Sequence, residues 1–160
     1  YNTYFGIQQT LNLVNFINKD EPEKICGGIG MQSHVDIKVP TIELYGTALE
    51  KFLAAGYEVQ ITELDVTINY DTNGSYSYAD EKETNADQAK YVGQLMKTIL
   101  EKNRSRDKNV NPKGVTGITL WGLYDTISWR ASCSPLLFDT GITDPKASFD
   151  EFINAAKSMG

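Results

Sequence analysis

Apolar positions recur with helical spacing at Ile7, Leu11, Val14 and Ile17, and Leu13 and Phe16 widen that stripe. The pattern predicts an amphipathic helix over residues 5–18. A polar turn with Pro22 follows at 20–24. The run ICGGIGM at 25–31 then reads as a short buried strand, ending in Gln32-Ser33-His34 before a loop. Pro40 suits the first turn of a second helix, and Gly56 suits the position just past its end. Between them Leu44, Tyr45, Ala48, Leu49, Phe52 and Leu53 make one apolar face. The β-branched run YEVQITELDV at 57–66 predicts the next strand, and 67–82 a long polar loop rich in Asp, Asn, Ser, Gly and Tyr. A third helix is expected over 83–103, with Ala86, Ala89, Val92, Met96, Ile99 and Leu100 turned inward. A third strand over 114–121, a loop over 122–144 and a last helix over 146–158 complete the order; Phe149, Phe152 and Ile153 form that helix's apolar face.

Strands alternating with helices imply parallel strands joined by right-handed crossovers, covered on both faces. Three such strands cannot close a barrel and leave raw edges. A doubly wound sheet fits poorly, because no glycine-rich nucleotide turn follows a strand; Gly27, Gly28 and Gly30 lie inside one. The fold class is therefore α/β, and the better fit is a partial (β/α)8 TIM barrel, its C-terminal half, incomplete on its own.

Composition narrows the partners. The chain has 160 residues, 41% hydrophobic and 22% charged, enough for one domain. Its net charge of −6 and scattered basic residues argue against nucleic acid or an anionic membrane surface as partner. No apolar run is long enough to span a bilayer, and no signal peptide stands at Tyr1, where the chain reads as the middle of a protein. Cys26 and Cys133 read as free thiols without metal-ligand spacing. Asp71, Asp80, Glu81, Glu83 and Asp87 lack calcium-loop spacing. No metal and no cofactor are expected.

Chemistry collects at the strand ends, where β/α barrels carry their catalytic groups. The first end offers Gln32 and His34, the second Glu63 and Asp65, the third Trp121 followed by Asp125, Trp129 and Arg130. Side-chain alternation puts Gln32 with His34 on one face, and Ile61 with Glu63 and Asp65. Two carboxylates among Val, Ile and Leu are costly without partners, and His34 is the natural one. Trp121 and Trp129 read as cleft walls in preference to core. Asp125 and Arg130 read equally as a loop-stabilising ion pair or as part of the site. Tyr70, Tyr76 and Tyr78 read as a surface loop.

The segments GIGMQSH, ITELDV, the WG…D…SW pattern from Trp121 to Trp129, and PLLFD at 135–139 resemble the family-10 endo-β-1,4-xylanases, in that family's own order. Tyr1-Asn2-Thr3 resembles the tail of its fifth-strand motif, so the likeness runs from the end of strand five through helix eight. The resemblance implies that Glu63 is the nucleophile, with His34 and Asp65 as its hydrogen-bonded support. It implies that Trp121 and Trp129 wall the sugar cleft, with Gln32 and Asn2 among the polar residues that line it. The implied substrate is xylan or xylo-oligosaccharides and the implied location secreted or cell-surface. Retaining enzymes need two carboxyl groups. The family's acid/base glutamate belongs to a strand this chain lacks, so the chain supplies the nucleophile but not the acid/base. The alternative is an inactive carbohydrate-binding or assembly fragment that needs the N-terminal half. Open edges also suit pairing with a second copy as a homo-oligomer. The departures are Asp144-Pro145-Lys146-Ala147-Ser148-Phe149 at the start of the last helix and the long loop after Asp65. A related hydrolase of another β-glucan would use the same groups; rates on xylan and cellulose oligomers separate the two.

Overall fold

A computed structural model describes residues 4–69 and 83–158. The elements run α1 (Tyr4–Ile17), β1 (Gly28–Met31), β2 (His34–Asp36), α2 (Ile42–Ala54), β3 (Glu58–Thr67), α3 (Asn85–Ser105), β4 (Val115–Leu120) and α4 (Ala147–Ser158). Two 3-10 turns, Asp125–Ile127 and Ala131–Cys133, lie between β4 and α4. All ladders are parallel: β1 and β2 both pair with β3, and β4 pairs with β3. Residues 58–61 pair with β1 and residues 59–61 with β4, so these two flank opposite edges of β3. Two residues separate β1 from β2, which therefore run end to end along one edge.

Helix boundaries follow their caps. Thr41 caps α2 by accepting from the Leu44 N–H, so Pro40 precedes the helix instead of opening it. Gly56, at φ +79°, ends it as expected. Thr84 and Asp87 form a capping box, which starts α3 two residues later than the polar pattern suggests. Residues 25–27 do not join β1, because the Asn18 amide takes both the N–H and the carbonyl of Cys26 at 2.9 Å. The residues after Ser33 form β2 where a loop was expected.

The helices pack in chain order, α1 on α2, α2 on α3 and α3 on α4, and cover one face of the sheet. The core gathers Leu49, Phe52, Tyr57, Val59, Ile61 and Leu95, none more than 1% exposed. The other sheet face lies open, contrary to the expectation of two covered faces. Gly28, Gly30, Glu58, Gln60 and Thr62 line a groove there. Leu13 and Phe16 point away from the core and are 57% and 74% exposed, and Ala86 is exposed as well. Gln88, Tyr91 and Leu95 fill the inner face of α3 alongside the expected residues. Cys26 and Cys133 are free thiols. No helix among the described residues is long and apolar enough to cross a membrane.

Asn111, 1% exposed, joins three elements. Its amide donates to the Leu53 and Tyr57 carbonyls at 3.0 and 2.8 Å and accepts from the Gly114 N–H at 2.8 Å. It ties the end of α2 to the starts of β3 and β4. Asn111→Ala removes these bonds, leaves the Leu53 carbonyl only its backbone donor Gly56, and should lower unfolding free energy by about 3 kcal/mol, read by chemical denaturation.

Candidate active site

β3 does not alternate regularly. Ile61 is fully buried in the core, while Thr62 and Glu63 in succession are both half-buried. The ladders give the cause. Ile61 and Leu64 of β3 face Ile118 and Leu120 of β4, three steps against two. On the other edge Ile61 and Asp65 face Met31 and His34, four steps against three. One extra residue is therefore bulged out of β3 between Ile61 and Leu64. The expectation that Ile61 shares a face with Glu63 and Asp65 fails here, because the bulge turns Glu63 out of the core.

The turn delivers Glu63 to His34. His34 Nε2 lies 3.1 Å from Glu63 Oε2, and Nδ1 lies 2.9 Å from Asp65 Oδ2. With both carboxylates ionised, both contacts are hydrogen bonds only if the ring carries two protons, as a cation. Asp65 has a side chain 0% exposed, and its Oδ2 also accepts from Trp129 Nε1 at 2.8 Å. The Arg130 guanidinium approaches Asp65 Oδ1 at 3.7 Å and stacks over the Trp129 ring, 4.3 Å from its centroid. A buried acid is thus met by a shared imidazole, an indole N–H and a guanidinium.

Trp121 and Trp129 are 46% and 60% exposed, so neither is core. Both meet the His34 ring edge-on, with centroids 6.3 and 5.0 Å away. Gln32 is exposed, and its carbonyl accepts from the Glu63 N–H at 3.0 Å. Asn2, Tyr70, Asp71, Tyr76, Tyr78, Asp80 and Glu81 lie outside the described residues.

The family model described as "Glycosyl hydrolase family 10" matches residues 1–155. The chain belongs to glycosyl hydrolase family 10. Among curated relatives, it is 36% identical over 155 residues to endo-1,4-beta-xylanase A of Butyrivibrio fibrisolvens, covering 97% of this chain and 32% of that protein. It is also 36% identical over 157 residues to the bifunctional endo-1,4-beta-xylanase XylA of Ruminococcus flavefaciens, covering 98% of this chain and 14% of that one. Among solved structures, a thermostable mutant of a xylanase from Cellvibrio japonicus matches with TM-score 0.79 and 26% identity, over 99% of this chain and 46% of that one. A mutant xylanase A of P. fluorescens subsp. cellulosa in complex with xylopentaose matches with TM-score 0.76 and 27% identity, over 96% and 46%. The chain thus spans about a third or less of these curated relatives and under half of these solved chains, and its fold is part of their β/α barrel.

In this family-10 chain the loop that carries the tryptophans rests on a buried ion pair. Gly122, at φ +145°, turns the chain after Trp121 where a Cβ would lie 2.7 Å from Leu136. Asp125 does not pair with Arg130. Its Oδ2 accepts from Lys146 Nζ at 2.8 Å and its Oδ1 from the Leu136 N–H at 2.7 Å, while Lys146 also donates to the Ser134 carbonyl at 2.8 Å. Arg130 is drawn to the charge of Asp65 instead. The Asp125–Lys146 pair is long-range, and Lys146 reads in the sequence only as a helix start. No local pattern points to it. The role of Arg130 had a visible cue, its place directly after Trp129.

Burial pushes the Asp125 carboxyl above its ordinary value of 3.8 and pulls the Lys146 amine down. Lys146→Met leaves the Asp125 charge buried without its cation and should cost about 3–5 kcal/mol near neutral pH. Because the folded carboxyl titrates above its unfolded value, protonation relieves that penalty. The deficit against the parent, read by denaturation at several pH values, should shrink as pH falls toward 3.8.

Proposed function

We propose that this chain is the C-terminal half of a retaining endo-β-1,4-xylanase barrel and carries its nucleophile, Glu63. The observation that carries the reading is the Glu63 carboxylate, half-exposed, held through one oxygen by His34 and set beside two exposed tryptophans. Held through Oε2, Glu63 keeps its other oxygen for attack on the anomeric carbon of a bound xylose unit. The glycosyl–Glu63 ester then forms as the leaving sugar departs, and water hydrolyses it. The flat indole faces suit the C–H faces of pyranose rings. Gln32 and Asn2 are assigned to sugar hydroxyls. That its relatives are endo-1,4-beta-xylanases supports xylan as substrate.

A retaining mechanism needs a second carboxyl about 5–5.5 Å from the first, as acid/base. Asp65 is buried and engaged by His34 and Trp129, so it is unsuited to protonate a leaving group. We assign that role to a carboxyl in the remaining part of the barrel. Supporting this are the open sheet face, the exposed Leu13 and Phe16, and the 46% coverage of the solved chains. The second reading, an assembly fragment inactive by itself, rests on the same observations.

In a complete domain carrying these residues, Glu63→Gln should lower turnover of xylan by about a thousandfold or more with the fold intact. Near-parent turnover would sink the nucleophile assignment. The isolated chain should hydrolyse no xylan, and adding a separately produced N-terminal half should restore activity. Activity of the pure chain as a monomer, with mass taken by light scattering, would overturn the need for a second half.

A further inference from the structure

β1 and β2 would be one continuous strand but for Gln32 and Ser33. Ser33 adopts φ +66°, the left-handed region that a residue with a Cβ disfavours. Its Oγ donates to the Met31 carbonyl at 3.3 Å, which leaves it to accept from the Tyr45 hydroxyl at 2.7 Å. Both residues are buried. Burial pushes the Tyr45 phenol up to about 12, so it remains a donor throughout the working pH range. A cavity of about 130 Å³ borders the pair, lined in part by Gln32, His34, Pro40 and Leu44.

The kink sits opposite the bulge of β3. The Gln32 carbonyl accepts from the Glu63 N–H at 3.0 Å, and the Ser33 carbonyl accepts from the Asp65 N–H at 3.3 Å. The ladder resumes at His34 facing Asp65. Where Ser33 goes, His34 follows.

We propose that Tyr45 and Ser33 are positioning residues: a tether from α2 that holds the left-handed turn at Ser33 and thereby places the His34 ring between Glu63 and Asp65. The proposal rests on Glu63 being the nucleophile. The charged groups that meet the His34 site among the described residues are Glu63 and Asp65 on β3, with Arg130 reaching Asp65 from the loop after β4. Tyr45 acts on that set only through Ser33.

The test uses a complete catalytic domain carrying these residues, assayed well below its melting temperature. Tyr45→Phe keeps the ring and deletes the donor. It should lower kcat about tenfold, by loosening His34, while KM for a xylo-oligosaccharide changes less than about twofold. A looser His34 supports the Glu63 carboxylate less, so the acid limb of kcat/KM should move to higher pH. Glycine takes the left-handed turn without needing the tether. Ser33→Gly added to Tyr45→Phe should therefore restore most of kcat. Ser33→Ala should behave like Tyr45→Phe, and the two together no worse than either alone. If Tyr45→Phe fails to fold, Ser33→Ala carries the same reading. A variant that melts earlier yet keeps the parent kcat and pH profile overturns the proposal, as does a Ser33→Gly/Tyr45→Phe protein whose kcat stays low. Retained turnover in Glu63→Gln would instead remove the nucleophile reading beneath it.

Discussion

One imidazole has to serve two carboxylates, and much of the surrounding structure is arranged so that it can. Glu63 and Asp65 stand two residues apart on β3, and His34 reaches both. Two carboxylates this close on one strand are costly unless each has a partner. The His34 ring sits between them with one nitrogen on each, and the Arg130 guanidinium approaches the deeper acid. The same deeper acid fixes the Trp129 indole. One contact set thus ties the proposed nucleophile to one of the proposed sugar-binding walls.

The backbone makes this geometry available through two matched irregularities. An extra residue in β3 turns Glu63 away from the helices, and the kink at Ser33 lies opposite it on the neighbouring strand. Regular strands would bury Glu63 beside Ile61. Each departure costs ladder regularity or backbone strain, and such costs recur where a site needs a side chain aimed. The buried Asp125–Lys146 pair plays a similar part for the loop after β4, bracing it at a residue between its two tryptophans.

The order of elements was legible because parallel strands and their helices carry different apolar periods. Gly56 marked the end of α2 for a reason local to that residue. The grouping of His34, Glu63, Asp65 and Trp129 was also legible, since the pattern put all four toward strand ends or in the loop that follows one, although His34 opens β2 and Glu63 and Asp65 lie within β3. What could not be read was the face each one takes. Alternation assigned Ile61 and Glu63 to one side, and a bulge has no mark in ITELDV itself. Leu13 and Phe16 were assigned to the core because a stripe shows only that a helix has an apolar face. It does not show whether this chain covers that face. Tyr45 read as one more core aromatic, and only its hydroxyl contact with a strained serine sets it apart.

The exposed helix face and the open groove along Gly28, Gly30 and Gln60 fit a barrel whose remaining strands lie outside this chain. Within such a barrel, the central claim is that Glu63 forms the covalent bond to sugar. The most direct measurement is to trap that bond in a complete domain with a 2-fluoro xylobioside bearing a good leaving group, then map the labelled peptide by mass spectrometry. The account predicts one sugar attached at Glu63, within Ile61-Thr62-Glu63-Leu64-Asp65. A label on any other carboxylate, or the absence of a covalent adduct under conditions that inactivate the enzyme, would contradict it.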